Sequence, residues 1–259
     1  MVAAAAPTVW AVTGATRGMG LEFCTQILSL HNTKVVAGAR PGENADDLQA
    51  LSKKYEGRVM IVEMELLDKE SVKAAIQRVQ DAHVGGVDYL INNAGVLGQY
   101  SRAQDQDIDD LQQVLMINVV GTFAVTKAFL PMLKSSNKKT IVNISSDAAC
   151  LTLMYSMIHA KDGMDAGMGL SYKASKVAVN METAILANDL KEDGFTIVSL
   201  HPGFVNTNMG QNVKASTDGM RNPTRSPQDA VGEMMQLTLG LTTKDNGKYM
   251  LHDGTDMPW

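Results

Sequence analysis

Short β-prone apolar runs alternate with stretches of helical period along nearly the whole chain of 259 residues, and no other feature limits the fold so strongly. The runs Thr8–Thr13, Lys34–Ala39, Val59–Met64, Val87–Asn92, Thr140–Ser145, Thr196–His201 and Lys248–Leu251 read as strands. Met19–His31, Asp46–Tyr55, Lys69–Ala82, Ile108–Leu133, Tyr172–Glu192 and Ser226–Leu239 read as helices, the last opening on a Ser-Pro start signal. Such alternation demands crossover helices, so the expected fold class is α/β: one Rossmann-type doubly wound domain over residues 1–259, with about seven parallel strands and helices on both faces. Residues 1–7 read as a loose tail. Two stretches follow neither period, Asp147–Ser171 and Gly203–Arg225. Both leave the carboxyl ends of strands, where open α/β sheets bind ligands, so the first is expected as an insertion on the active-site rim and the second as a substrate loop.

Composition removes several function classes. Lys and Arg number 23 against 28 Asp and Glu, with no basic block, so no nucleic-acid surface is expected. No run approaches the roughly 18 uninterrupted apolar residues of a membrane span. The start of the chain lacks the basic flank of a secretory signal. Cys24 and Cys150 are too few for a disulfide framework. Together these point to the cytoplasm. His31, His83, His159, His201 and His252 are scattered away from other ligand types, so no metal site is expected.

Thr13-Gly14-Ala15-Thr16-Arg17-Gly18-Met19-Gly20 lies directly after the first strand and runs into a helix. Glycines there permit a tight turn and bring backbone N–H groups and a helix N-terminus up to a pyrophosphate. At the end of the second strand, Ala39-Arg40 offers a guanidinium where a carboxylate would accept from ribose hydroxyls. Arg40 and Arg17 together suit a 2′-phosphate, which makes NADP(H) the expected cofactor.

The spacing Gly-x-x-x-Gly-x-Gly resembles the short-chain dehydrogenase/reductase family. The likeness continues in family order through Asn92-Asn93-Ala94-Gly95, Asn118, Ser145-Ser146, Tyr172-x-x-x-Lys176 and Pro202-Gly203. The stretches Ser199–Gly210 and Asp253–Trp259 look like the carbonyl-reductase branch typified by sniffer and C-factor proteins. The resemblance implies cofactor contacts at Gly14, Thr16, Arg17, Gly18, Met19, Gly20, Asn93, Ala94, Gly95, Tyr172, Lys176, Pro202, Gly203, Val205 and Thr207, with Arg40 at the phosphate. Glu65-Leu66 would meet the adenine, although the family usually has Asp where this chain has Glu65.

Tyr172 and Lys176 stand four apart, sharing one helix face. A neighbouring ammonium favours phenolate and is expected to bring the phenol toward neutral pH as a general acid/base. The resemblance assigns Ser146, the later of the pair, to hold the substrate oxygen, and leaves Ser145 buried or facing the cofactor. Asn118, in an otherwise apolar stretch, is either a satisfied core residue or, as the resemblance implies, holder of a water next to Lys176. His201 reads as structural.

Ser146 and Tyr172 are 26 residues apart, about twice the family's usual spacing. The extra residues include Met154, Tyr155, Met157, Ile158, Met164 and Met168, which would line the pocket or meet a second subunit. The expected function is an NADPH-dependent carbonyl reductase or alcohol dehydrogenase transferring hydride between the nicotinamide and a ketone or aldehyde, with a small-molecule carbonyl or alcohol as substrate. A homodimer or homotetramer is the expected assembly. The alternative is a catalytically idle dinucleotide-binding protein that signals through partner contacts.

Overall fold

The computed structural model describes residues 6–82, 85–159, 168–217, 219 and 221–259. Seven parallel strands form one sheet: β1 (Thr8–Thr13), β2 (Thr33–Ala39), β3 (Val59–Glu63), β4 (Tyr89–Asn92), β5 (Thr140–Ile144), β6 (Thr196–His201) and β7 (Tyr249–Leu251). Their spatial order is β3-β2-β1-β4-β5-β6-β7, so the chain reverses direction across the sheet between β1 and β4. That switch point leaves a crevice beyond the strand carboxyl ends. The register pairs Thr13 with Gly38, Asn92 with Asn143 and Ile144 with Leu200, setting the ends of β1, β2, β4, β5 and β6 along one edge.

Helices cover both faces: α1 (Gly18–Ser29), α2 (Asp46–Lys54), α3 (Lys69–Asp81), α4 (Ile108–Leu115), α5 (Thr122–Lys134), α6 (Leu151–His159), α7 (Leu170–Asp189), α8 (Asn208–Ser216) and α9 (Pro227–Gly240). Side chains alternate along β1, so Trp10 and Val12 enter one core with Phe23 and Ile27 of α1 and Met234 of α9. Val9 and Ala11 enter the other with Val72 of α3, Phe129 of α5 and Ile197 of β6. Apolar runs without a polar face are what burial on both sides requires. Each fully buried Val, Ile, Phe or Met among them stabilises the fold by about 1.5 to 3 kcal/mol.

Three sequence expectations need correction. The expected helix Ile108–Leu133 is one helical run, but its middle, Met116–Gly121, is a π-turn holding Asn118. By length and composition the run Ile108–Lys134 is long and apolar enough to cross a membrane. Its inward side instead packs on α3, α7 and β4. The stretch Gly203–Arg225 is not all loop: Thr207 accepts from the Gly210 amide at 3.3 Å and caps α8. The insertion Asp147–Ser171 holds α6, whose Leu151, Tyr155 and Ile158 are exposed. A helix that turns apolar residues to the outside carries no core-facing period to read. Residues 1–5 of the expected tail, His83, and residues 160–167 of the insertion, Met164 among them, lie outside the described residues.

Candidate active site

The turn after β1 is locked by its neighbours. Thr13 Oγ1 accepts from the amides of Asn93 and Ala94, both at 3.0 Å, and Asn93 Nδ2 donates to Thr13 O at 2.9 Å and Gly14 O at 3.2 Å. Gly14 and Gly18 take positive φ, and a Cβ on Gly20 would lie 2.0 Å from Gly14 O. Glycine is therefore required for α1 to start so close beneath the turn. Arg17, at the N-cap of α1, makes no side-chain cap, and the first turn carries no acid. Its N-terminal amides are thus available to an anion.

Beside this helix end lies a cleft of ≈ 350 Å³, lined by Gly14, Thr16, Arg17, Gly18, Met19, Arg40, Glu65, Leu66, Asn93, Ala94, Gly95 and Thr207, all positions expected to touch cofactor. Gly20 lies beneath the turn and Lys176 deeper in. Pro202, Gly203, Val205 and Tyr172 line an adjoining pocket of ≈ 110 Å³, which shares Met19 and Thr207 with the cleft. The glycine turn, the uncapped helix and the cleft fit a dinucleotide.

The sequence did not reveal Glu43. Its carboxylate sits between the two arginines, 3.2 Å from Arg17 Nε and 3.9 Å from Arg40. The two cations expected to be open to a phosphate already hold a carboxylate. Glu43 follows the turn at Gly42, and nothing in that local pattern signals the fold-back onto Arg17.

At the reacting end, α7 starts at Leu170, so Tyr172 sits in its first turn and Lys176 one turn on. Lys176 is 5% exposed; its Nζ donates to Ile144 O at the end of β5, at 2.7 Å, and stands 5.6 Å from the Tyr172 ring centre. Burial pulls the ammonium down to about 8. Burial likewise pushes the phenol up to about 12; a hydrogen bond with Ser146 works against this and the Asp147 charge works with it. The expected pull of Lys176 toward neutral pH does not show in the phenol of the protein by itself. The ammonium is bonded elsewhere, and the loss of water around the phenol outweighs it.

Ser146 is 9% exposed and caps a short turn, accepting from the Ala148 amide at 3.2 Å and donating to Asp147 Oδ1 at 3.0 Å. Tyr249 clamps the backbone beneath, its hydroxyl donating to Ser146 O at 2.5 Å. Ser145 is buried and donates to Asn180 Oδ1. Asn118 accepts from Val96 N and donates to Val96 O and Ser175 Oγ, at 2.8, 2.9 and 3.0 Å. Its side chain is a satisfied core amide that fastens the loop after β4 to α7. Ser175, which also donates to Tyr172 O, is a further residue the sequence reading missed.

His201 is 7% exposed, its Nε2 3.9 Å from Asp147 Oδ1. Burial lowers its pKa, the Asp147 charge opposes that, and His252 and Arg221 add to the lowering. Of the insertion, Asp147 and Ala148 line the pocket, and no residue of α6 does. The insertion's far end instead braces the pocket wall: Gly169 packs against the ring of Tyr100, and its amide donates to Ser101 O at 2.9 Å.

A parallel sheet with a glycine turn at its switch point, opening beside a Tyr-Lys pair, defines a class of oxidoreductases whose fold binds nicotinamide dinucleotides. The short chain dehydrogenase family model matches residues 8–218, and the chain belongs to that family. Short chain dehydrogenase gsfK of Penicillium aethiopicum is 30% identical over 261 residues, covering 98% of this chain and 100% of its own. Among solved structures, NADPH-bound carbonyl reductase from chicken fatty liver superposes with TM-score 0.85 at 31% identity, covering 98% of this chain and 94% of that one. Carbonyl reductase Sniffer of Drosophila melanogaster gives 0.84 at 26%, covering 98% and 100%.

Proposed function

We propose that the protein is an NADPH-dependent carbonyl reductase. The observation that carries this reading is the convergence of Ser146 and Tyr172 on a pocket that opens into the dinucleotide cleft, with Lys176 bonded behind them. The cofactor, when bound, supplies hydride to a carbonyl carbon. As the C=O π pair moves onto oxygen, Ser146 donates a hydrogen bond to that oxygen and Tyr172 transfers its phenolic proton to it. A phenol held up to about 12 is fully protonated at neutral pH, the state reduction requires. Asn118 and Ser175 act as positioning residues by fixing the first turn of α7.

NADPH is favoured over NADH because Arg17 and Arg40 both border the cleft, as expected of a 2′-phosphate site. The chicken enzyme's bound NADPH supports the same choice. We extend the proposal to a homo-oligomer, because α7 exposes Met181 and Ile185, and the run through α5 exposes Met116, Val120 and Phe123. A monomer by sedimentation would count against that part. The activity test is loss of NADPH absorbance with a panel of ketones, aldehydes and diketones, repeated with NADH. Turnover is expected with NADPH preferred; silence across the panel despite tight NADPH binding would instead support an idle dinucleotide-binding protein.

A further inference from the structure

A serine hydroxyl has one hydrogen to donate. In Ser146 that hydrogen goes to Asp147 Oδ1, at 3.0 Å, which leaves the oxygen to accept from the Ala148 amide and to face its other partner, the Tyr172 hydroxyl. A substrate carbonyl needs the same hydrogen. Engaging it takes a donor from Asp147, which water or a donor on the substrate then has to replace. The side chain of Asp147 is 42% exposed and lines the pocket, so a substrate can reach it. Nearby His201 Nε2, at 3.9 Å, is too distant to hydrogen bond.

We propose that Asp147 selects carbonyl compounds that carry a hydroxyl close to the reacting carbonyl; the inference rests on the reductase reading. The substrate hydroxyl donates to Asp147 and replaces Ser146, whose hydrogen is released to the carbonyl oxygen. Ser146 Oγ and Asp147 Oδ1 are 3.0 Å apart. With ordinary hydrogen-bond lengths, the two substrate oxygens they hold fall roughly 3 to 5 Å apart. That is the separation of oxygens on adjacent or next-but-one carbons, so the class is α- and β-hydroxycarbonyls. Leu97, Tyr100, Phe204 and Val213 line the same pocket, which suits an aryl or alkyl body on the other side of the carbonyl.

The test compares α-hydroxyacetophenone with its O-methyl ether, using NADPH and the wild-type enzyme, Asp147→Ala and Asp147→Asn. The ether keeps the electron-withdrawing oxygen and loses the donor. The expected wild-type kcat/KM favours the alcohol by about tenfold or more, the worth of one hydrogen bond to a charged group. Asp147→Ala should abolish the ratio from both sides, lowering the alcohol's kcat/KM and raising the ether's, because Ser146 no longer has a competing acceptor. Asp147→Asn, which keeps an acceptor oxygen, should retain part of the preference. Unchanged NADPH affinity verifies that each variant is folded. Equal turnover of the two ketones by the wild type, or a ratio that survives Asp147→Ala, overturns the proposal and leaves the reductase reading standing. No turnover of either ketone with NADPH bound overturns the proposal; the reductase reading falls with it only where the wider carbonyl panel is silent as well.

Discussion

The two ends of the crevice place cations in opposite surroundings. At the reacting end Lys176 is 5% exposed and its partners are a backbone carbonyl and a half-buried phenol. At the arginine end Arg17 and Arg40 have side chains 63% and 59% exposed, with Glu43 between them. In the first region, loss of water dominates and holds the phenol near 12 and the ammonium near 8. In the second, water and salt screen every pair, so each contact is weak alone and gains from number. Buried groups here should therefore govern rate and pH response, and exposed ones cofactor choice and salt response.

The largest effect belongs to the buried end. Tyr172→Phe removes one oxygen and keeps the ring, so turnover should fall by about 10² to 10⁴ while the NADPH dissociation constant moves only a few fold. Stopped-flow reduction alongside cofactor titration measures both. Near-normal turnover would erase the contrast, because the proton donor would then lie elsewhere.

Lys176 tests the same region through stability. Its pKa is 10.5 ordinarily and about 8 here, so between those values the unfolded chain binds more protons than the folded one, and stability rises with pH. Below about 8 the buried charge costs the fold about 3 kcal/mol; the cost fades as pH climbs to 10.5. Lys176→Met should accordingly gain stability over the wild type at pH 7 and lose most of that advantage by pH 10, read by urea denaturation of the cofactor-free protein. An advantage independent of pH would mean the ammonium is not desolvated.

How much of this the chain announces in advance follows from the range of the interactions. Strand runs such as Val9–Val12, the glycine turn and the Tyr172–Lys176 spacing are local and periodic, and the sheet and the convergence of these elements could be read from them. Glu43 meets Arg17 across 26 residues and Asn118 meets Ser175 across 57, contacts that only the closed sheet brings together. The π-turn at Asn118 escapes a period-based reading because it is one wide turn inside a continuous helix. The direction of the Tyr172 shift was misjudged because a sequence gives the charge beside the phenol but not the water removed from it.

At the exposed end Arg40→Asp exchanges a phosphate-seeking cation for a carboxylate. NADPH should weaken against NADH by about ten- to a hundredfold, because the exchange both removes an attraction and sets a like charge beside the phosphate. Equilibrium titration of both cofactors by fluorescence decides it. A preference that does not move would remove Arg40 from the phosphate site and leave Arg17 as the cation to test.

The smallest effect is the most specific to this chain. Glu43 reaches both arginines, so a 2′-phosphate must either displace its carboxylate or bind next to it. Each outcome costs NADPH affinity, in the first case through two lost ion pairs and in the second through repulsion between like charges. Glu43→Gln keeps the size and removes the charge, so NADPH should bind about three- to tenfold tighter, within the range of exposed pairs, while NADH changes little. Because both parts of the effect are screened, the gain should shrink between 50 and 500 mM salt, concentrations on either side of the physiological range. The same comparison on Arg17→Ala tests the linkage, since without that arginine Glu43 keeps only its 3.9 Å contact with Arg40 and one ion pair fewer is at stake, so the gain should be smaller. A Glu43→Gln gain equal for NADPH and NADH would mean the carboxylate acts on the shared adenosine instead, and the two regions would then differ in exposure without differing in task.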